Sequence, residues 1–170
     1  SREAQSYLVR PINADGQGMR DLPCRESGST LRLLLPVACA IGGQSRFFAQ
    51  GRLPERPLSP LYEQLLLHGC RLGAQGETPF WCEGPLKRGD YVLPGNVSSQ
   101  FVSGLLFALP LLSGDSTLRL TGEVESRPYI DLTLQAVRQA GIRVEEQAEI
   151  FRIPGGQRYH APVECRAEGD

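Results

Sequence analysis

The chain repeats its own sequence at a constant offset of 71 residues. In segments 26–43 (ESGSTLRLLLPVACAIGG) and 96–114 (NVSSQFVSGLLFALPLLSG) this offset places Ser27 on Ser98, and the alignment continues without a gap until Arg56 falls on Arg127. Self-similarity at a fixed period is typical of a supersecondary unit that occurs more than once. The chain is therefore expected to fold as two copies of one unit.

Both copies predict the same order of elements. A serine-rich turn opens an apolar helix, a short strand follows, and an Arg-Pro turn begins a second helix that ends at a glycine. The apolar helices are predicted at 29–41 and 98–112, and the short strands at 46–50 and 117–121. Closing strands are predicted at 79–83 and 90–93 in the first copy, and at 143–146, 149–153 and 163–167 in the second. This order, α-β-α-β-β, indicates the α/β class.

The second helix of each copy has apolar residues at the i, i+3, i+4, i+7 spacing of a half-buried helix. The predicted buried faces are Leu58, Leu61, Tyr62, Leu65 and Leu66 in the first copy, and Tyr129, Leu132, Ala136, Val137 and Ala140 in the second. Pro36 and Pro110 lie inside the two apolar helices. Each proline is expected to kink its helix or to end it early.

Composition limits the partners. The 170 residues are 41% hydrophobic with a formal net charge of −1, so no basic face for nucleic acid is expected. The longest apolar run, 105–112, is too short to span a bilayer, which argues against a membrane partner. Residues 1–10 contain no export signal, and a cytoplasmic location is expected.

Cysteine and histidine give no sign of a metal centre. The chain has five cysteines without a CxxC spacing, which predicts unpaired thiols in a reducing compartment. His68 is predicted to lie at a helix end and His160 in a loop, both without cysteines at ligand spacing. Trp81, in a predicted strand, is expected to lie in the core. No metal and no cofactor are therefore expected.

The start of the second apolar helix is the strongest candidate site. The first backbone N–H groups of a helix are unpaired and lie at the positive end of its dipole. Ser98, Ser99 and Gln100 add hydroxyl and amide donors there, which suits a phosphate or a carboxylate. The alternative is that Ser98 only caps the helix. The first copy repeats the serine-rich start, which favours the anion site.

Four segments resemble the 5-enolpyruvylshikimate-3-phosphate (EPSP) synthase family, also called 3-phosphoshikimate 1-carboxyvinyltransferase. They are ESGSTLRLLLPVA, GRLPERPLSPL, GNVSSQFVSGLLFALPL and VESRPYIDLTL. The resemblance runs from about residue 7 to residue 170 and implies the enolpyruvyl transferase fold, an inside-out α/β barrel of repeated βαβαββ units. It implies one incomplete domain over 1–170, with about two of three units at 26–95 and 96–168 after a partial unit at 1–25.

The resemblance also implies ligands. The family transfers the enolpyruvyl group of phosphoenolpyruvate to shikimate 3-phosphate in chorismate and aromatic amino acid biosynthesis. The implied contacts to shikimate 3-phosphate are Ser98, Ser99, Gln100, Ser126 and Tyr129, and those to phosphoenolpyruvate are Gly28, Arg56 and Gln100. Arg32 matches a family arginine whose role is as readily structural as binding.

Two departures from the family qualify this expectation. The N-terminal Lys-Ser segment and the acids, arginines and lysine of the other domain have no match, so no catalytic residue is assigned here and the chain is expected to be inactive alone. Its partners would be the third unit and the second domain. Glu26 stands where many members have Asn. The alternatives are a non-catalytic anion-binding or scaffold module, and a relative of UDP-N-acetylglucosamine 1-carboxyvinyltransferase.

Overall fold

Two βαβαββ units follow each other in the computed structural model, which describes residues 18–160. The first unit consists of β1 (Arg20–Arg25), α1 (Gly28–Ala40), β2 (Gln44–Ala49), α2 (Leu61–Leu67), β3 (Arg71–Leu72) and β4 (Phe80–Glu83). The second consists of β5 (Asp90–Pro94), α3 (Ser99–Ala108), β6 (Ser116–Thr121), α4 (Arg127–Gln139), β7 (Glu145–Gln147) and β8 (Ile150–Ile153). The predicted α/β class and the repeat are confirmed.

The two sheets have the same topology. Their strand orders are β1-β2-β4-β3 and β5-β6-β8-β7. In each sheet the first two strands are parallel and the remaining pairs are antiparallel. Strands β2 and β6 alternate between buried and accessible residues, as expected when one face of a sheet packs on helices and the other does not.

The pairing corrects the prediction for the strand at 90–93. That strand was predicted as a closing strand of the first copy, but β5 pairs in parallel with β6, from Asp90 opposite Thr117 to Pro94 opposite Thr121. Strand β1 pairs with β2 in the equivalent way and was not predicted. Each unit therefore begins with a strand before its serine-rich turn. A strand belongs to the sheet whose strands it pairs with, and this pairing joins β1 to β2 and β5 to β6. The strand predicted at 163–167 lies outside the described residues.

Helices α1 and α3 pack against each other and form the centre of the core. Leu35 of α1 and Leu105 and Leu106 of α3 are completely buried. Pro36 lies inside α1, which continues to Ala40, whereas α3 ends at Ala108 and a single 3₁₀ turn containing Pro110 follows. Pro110 thus ends its helix early, and Pro36 does not.

The buried face of α4 differs from the prediction. Its buried residues are Ile130, Thr133, Leu134 and Val137. Tyr129 and Leu132, predicted to be buried, are 66% and 61% exposed. The helix carries two overlapping apolar stripes, and the stripe with Ile130 and Leu134 packs inward while the other faces a cavity. In the first unit Leu58, Leu61 and Leu65 are buried as predicted, but Leu66 is exposed.

Trp81 and His68 both lie in the first unit, one at the surface and one at a helix end. Trp81 was expected in the core, but it lies on the accessible face of β4 and is 37% exposed. It pairs with Arg46 on the accessible face of β2, whereas its neighbours Phe80 and Cys82 alternate inward. His68 follows the last residue of α2, and its Nδ1 lies 2.8 Å from the carbonyl oxygen of Gln64.

The described part of the chain holds four of the five cysteines: Cys24, Cys39, Cys70 and Cys82, all unpaired and buried. Cys165 lies outside it. Between residues 18 and 160 there is no group of three or more His, Cys, Asp or Glu side chains placed to hold a metal ion. Over the same residues, none of the helices has the length and apolar character needed to cross a membrane.

Candidate anion-binding site

A cavity of about 550 Å³ lies where the N-termini of α3 and α4 approach the side of α1. All five residues implied for shikimate 3-phosphate line this cavity. Its complete lining is Ser29, Leu33, Ser98, Ser99, Gln100, Ser103, Phe107, Ser126, Tyr129, Leu132 and Thr133. These five residues span 31 positions of the sequence, from Ser98 to Tyr129, and the tertiary structure brings them together.

The N-terminus of α3 supplies donors at one end of the cavity. The Ser98 hydroxyl accepts a hydrogen bond from the backbone N–H of Gln100 at 3.4 Å, so Ser98 caps the helix. The same side chain lines the cavity, and capping therefore does not exclude a role at the site. The first turn of α3 contains no acidic residue. Its free N–H groups and the Ser99 hydroxyl leave this end electropositive.

The N-terminus of α4 contributes a second hydroxyl. Ser126 occupies the N-cap position, but its side chain makes no capping hydrogen bond, which leaves the hydroxyl free to meet a ligand. Arg127, the next residue, is turned to carboxylates and bonds to Asp131 at 2.7 Å and to Glu146. Its positive charge is therefore already compensated within the protein.

A cationic pair lies at the N-terminus of α1, beside the cavity. A Cβ atom added at Gly28 would lie 3.3 Å from Arg56 Nη1 and 4.0 Å from Arg32 Nη1, so both guanidinium groups border this glycine. No carboxylate of the described residues lies within ion-pair distance of either arginine. Burial, together with the neighbouring charge of Arg56, lowers the pKa of Arg32. Two uncompensated cations at a helix N-terminus favour an anion.

Gln100 connects the cavity with the cationic pair. Its Nε2 donates a hydrogen bond to Ser29 Oγ at 2.8 Å, and its Oε1 accepts one from Arg32 Nη1 at 3.3 Å. Gly28 and Arg56 do not line the cavity itself. The residues implied for the two ligands thus form two adjacent groups, and Gln100, implied for both, lies between them.

The sequence analysis missed six residues that line the cavity: Ser29, Leu33, Ser103, Phe107, Leu132 and Thr133. Ser29 carried a signal, because the offset of 71 places it on Gln100. The Ser103 and Thr133 hydroxyls are buried and bond to each other at 2.7 Å, a contact that exists only because α3 packs on α4. No local pattern could have indicated it.

Glu26 does not line the cavity. Its carboxyl carbon would lie 2.8 Å from a Cβ atom added at Gly51, which shows that the side chain folds over the glycine turn after β2. Gly51 has a φ of +58°, a conformation that glycine adopts without strain. The Glu26 carboxylate therefore lies beside this turn.

The strand order and the helix arrangement are those of the enolpyruvyl transferase fold. An EPSP synthase from Acinetobacter baumannii superposes with a TM-score of 0.69 at 24% identity, covering 83% of this chain and 32% of that protein. The enolpyruvyl transferase NikO from Streptomyces tendae superposes with a TM-score of 0.51 at 14% identity, covering 79% of this chain and 31% of NikO. At these identities the likeness establishes the fold.

The family is established by sequence. The family model for EPSP synthase (3-phosphoshikimate 1-carboxyvinyltransferase) matches residues 5–170, and the chain belongs to this family. A 3-phosphoshikimate 1-carboxyvinyltransferase from Clostridium botulinum is 44% identical over 153 residues, covering 89% of this chain. One from Idiomarina loihiensis is 39% identical over 175 residues, covering 96% of this chain. The chain spans 35% and 41% of the length of these two relatives.

Proposed function

We propose that this chain is part of an enzyme that transfers the enolpyruvyl group of phosphoenolpyruvate to shikimate 3-phosphate, in the pathway to chorismate and the aromatic amino acids. The observation that carries the proposal is the cavity at the N-termini of α3 and α4, which is lined by all five residues implied for shikimate 3-phosphate. The names of the relatives support the same activity and do not favour the UDP-N-acetylglucosamine branch.

In this proposal the phosphate of shikimate 3-phosphate binds at the start of α3. Ser98 and Ser99 donate through their hydroxyls, and Ser126 donates from the N-terminus of α4. A hydrogen bond to a charged group contributes about 1.5–3 kcal/mol, so three such donors can hold a phosphate dianion firmly. The exposed ring of Tyr129 stands at the cavity wall, where it can pack against the carbocycle.

Phosphoenolpyruvate binds beside it, at the start of α1. Arg56 offers a forked pair of donors suited to a phosphate or a carboxylate. Gly28 has no side chain, so the ligand can approach the backbone there. Gln100 contacts both ligands from between the two subsites. In the reaction the shikimate hydroxyl adds to C2 of phosphoenolpyruvate, and elimination of phosphate follows, so both bound anions must be held in contact.

The proton transfers need groups from elsewhere in the enzyme. Among the described residues that line the cavity there is no carboxylate and no imidazole. We propose that the acid and base belong to the rest of the parent enzyme, that this chain is one incomplete cytoplasmic domain, and that it needs a third unit and a second domain for activity. No cofactor is needed for an addition and elimination between these two substrates.

The proposal is tested by an amide NMR titration of this chain with shikimate 3-phosphate, with inorganic phosphate as the control ligand. We expect shifts confined to 98–100 and 126–129, and stronger binding of shikimate 3-phosphate than of phosphate. The Ser98→Ala variant should bind both ligands more weakly. Ser113→Ala, at an exposed serine beyond the other end of α3, should bind both as the wild type does.

Equal binding of the two ligands would instead favour a non-catalytic anion-binding module, the second candidate function. The absence of any acid or base from the described cavity lining is the observation that keeps this candidate in the test.

A further inference from the structure

The Gln100 side chain is held at both ends by α1. Its Nε2 donates to Ser29 Oγ at 2.8 Å, and Arg32 Nη1 donates to its Oε1 at 3.3 Å. Ser29 and Arg32 lie three residues apart on one helix, so they contact the amide from neighbouring positions on the same face. The amide of the second unit is thus oriented entirely by the first unit.

Arg32 decides which way the amide faces. A guanidinium group has only donors, whereas a serine hydroxyl can donate or accept. If the Gln100 amide were rotated by half a turn, its NH₂ group would face the donors of Arg32, and no hydrogen bond could form there. Ser29 would tolerate either orientation. The presence of Arg32 therefore directs Oε1 to itself and Nε2 to the side of Ser29, which lines the cavity.

Arg32 is itself fixed in place. Its guanidinium carbon lies 5.2 Å from the centre of the Phe101 ring, which provides a cation–π contact. The side chain is half-buried between α1 and α3. Within residues 18–160 its buried Nε has no hydrogen-bond partner, so one donor of this group is not used by the protein. The group is thus held by a ring and an amide oxygen.

We propose that Arg32 is a positioning residue that sets the orientation of the Gln100 amide, so that its NH₂ group and not its carbonyl oxygen faces the ligand of the cavity, shikimate 3-phosphate. This inference deepens the proposed function and rests on it, since it assumes that the cavity takes phosphorylated substrates. A carbonyl oxygen directed at a phosphate would repel it, whereas Nε2 can donate its second hydrogen while it remains bonded to Ser29.

The first test is independent of any ligand. The side-chain NH₂ resonances of Gln100 are compared in the wild type, Arg32→Met and Arg32→Lys, with Arg52→Met as the matched control at an exposed arginine outside the site. In the wild type we expect both proton shifts to differ from those of free glutamine, and in Arg32→Met we expect them to move toward the free values. Arg32→Lys, which keeps only donors, should retain the wild-type pattern, and Arg52→Met should leave it unchanged.

The second test is a double-mutant cycle with shikimate 3-phosphate and inorganic phosphate as probes. We expect Arg32→Met to weaken shikimate 3-phosphate binding about three- to tenfold in the wild-type background. In the Gln100→Ala background the same change should have no further effect, because it acts only through the amide.

The outcomes separate this inference from the proposed function. Unchanged Gln100 resonances in Arg32→Met, or an equal loss of binding with and without Gln100, would overturn the positioning role, and the second result would make Arg32 a direct ligand contact. If the wild type bound neither probe, the proposed function would fail while the ligand-free resonances still decided the role of Arg32. If Arg32→Met does not fold, Arg32→Gln replaces it, because a glutamine can donate or accept and so removes the constraint.

Discussion

At the residue scale, Gly28 leaves room for the Arg56 guanidinium group at the N-terminus of α1. In Gly28→Ala the new methyl group would lie 3.3 Å from Arg56 Nη1, a tight contact that requires the guanidinium group to shift by a few tenths of an ångström. We expect phosphoenolpyruvate binding to weaken by about tenfold, the loss of part of one charge-assisted hydrogen bond, with little change for shikimate 3-phosphate. Titration of the variant with each ligand measures the two affinities. Gly18→Ala is the control, since a Cβ there would meet no atom within 4 Å.

Tyr91 is a second residue whose environment has a measurable consequence. Its phenol is completely buried and donates to the carbonyl oxygen of Lys87, and burial raises its pKa. The unfolded chain ionises its tyrosines near pH 10, whereas the folded chain keeps Tyr91 protonated above that pH. The free energy of unfolding is therefore expected to fall as the pH rises above about 10, because the unfolded state then binds fewer protons.

The Tyr91→Phe variant tests this linkage. At pH 7 we expect it to be less stable by about 1 kcal/mol, because the Lys87 carbonyl loses its donor. Above about pH 10 its stability should fall less steeply than that of the wild type. Urea denaturation at several pH values measures both effects. Tyr129→Phe, at an exposed ring, is the control, and a wild-type decline as shallow as that of Tyr91→Phe would contradict the expectation.

At the element scale, the crossing of α1 and α3 depends on Gly104. A Cβ atom there would lie 2.6 Å from the carbonyl oxygen of Arg32 and 3.1 Å from Pro36 Cγ. Pro36 has no N–H group, so the Arg32 carbonyl lacks the usual partner four residues on, and the backbone of α3 approaches it closely. The proline within α1 and the glycine of α3 thus belong to one contact.

Gly104→Ala should destabilise the protein although alanine favours helices. The helix-propensity gain is at most about 1 kcal/mol, whereas overpacking a tight contact costs about 1–3 kcal/mol, and here the clash is with backbone. We expect a net loss of about 1–2 kcal/mol in the free energy of unfolding, measured from the denaturant midpoint. Gln135→Ala, exposed on α4, should be neutral or slightly stabilising. An unchanged midpoint for Gly104→Ala would show that the helices separate without cost.

At the scale of the whole molecule, the two units are joined in two places. Helices α1 and α3 pack across the centre, and the His68 ring after α2 stacks on Tyr91 of β5 with 3.7 Å between ring centres. The backbone N–H of Val92 also donates to Gln64 Oε1 at 3.1 Å. The buried apolar residues of both units form one cluster, which indicates one cooperative structure.

Cooperative unfolding can be observed with two probes. Trp81 is the only tryptophan in the chain and lies in β4 of the first unit, whereas far-UV circular dichroism reports the helices of both units. We expect the fluorescence and circular dichroism transitions to coincide in urea, as for a two-state domain. A tryptophan transition at a distinctly different midpoint would show that the units unfold separately.

Much of the fold and of the candidate site was predictable from local patterns. The apolar helices, the strand after each of them and the capping position of Ser98 depend on residues close together in sequence. The exposure of Trp81 and the inward face of α4 were mispredicted, because periodicity identifies an apolar stripe but not the element that covers it. The resemblance named Ser126 and Tyr129, which no periodic pattern would have distinguished from other residues of a helix start.

The sequence alone determined that the chain contains one unit twice, that each unit is α/β, and that serine-rich helix starts are suited to anions. These properties follow from spacing and from the chemistry of side chains near each other in the chain. Only the tertiary structure decided that β5 belongs to the second sheet, that Ser103 meets Thr133, and that Arg32 and Ser29 hold Gln100. Those contacts join residues up to 71 positions apart, and their existence depends on how α1, α3 and α4 pack, which no local pattern specifies.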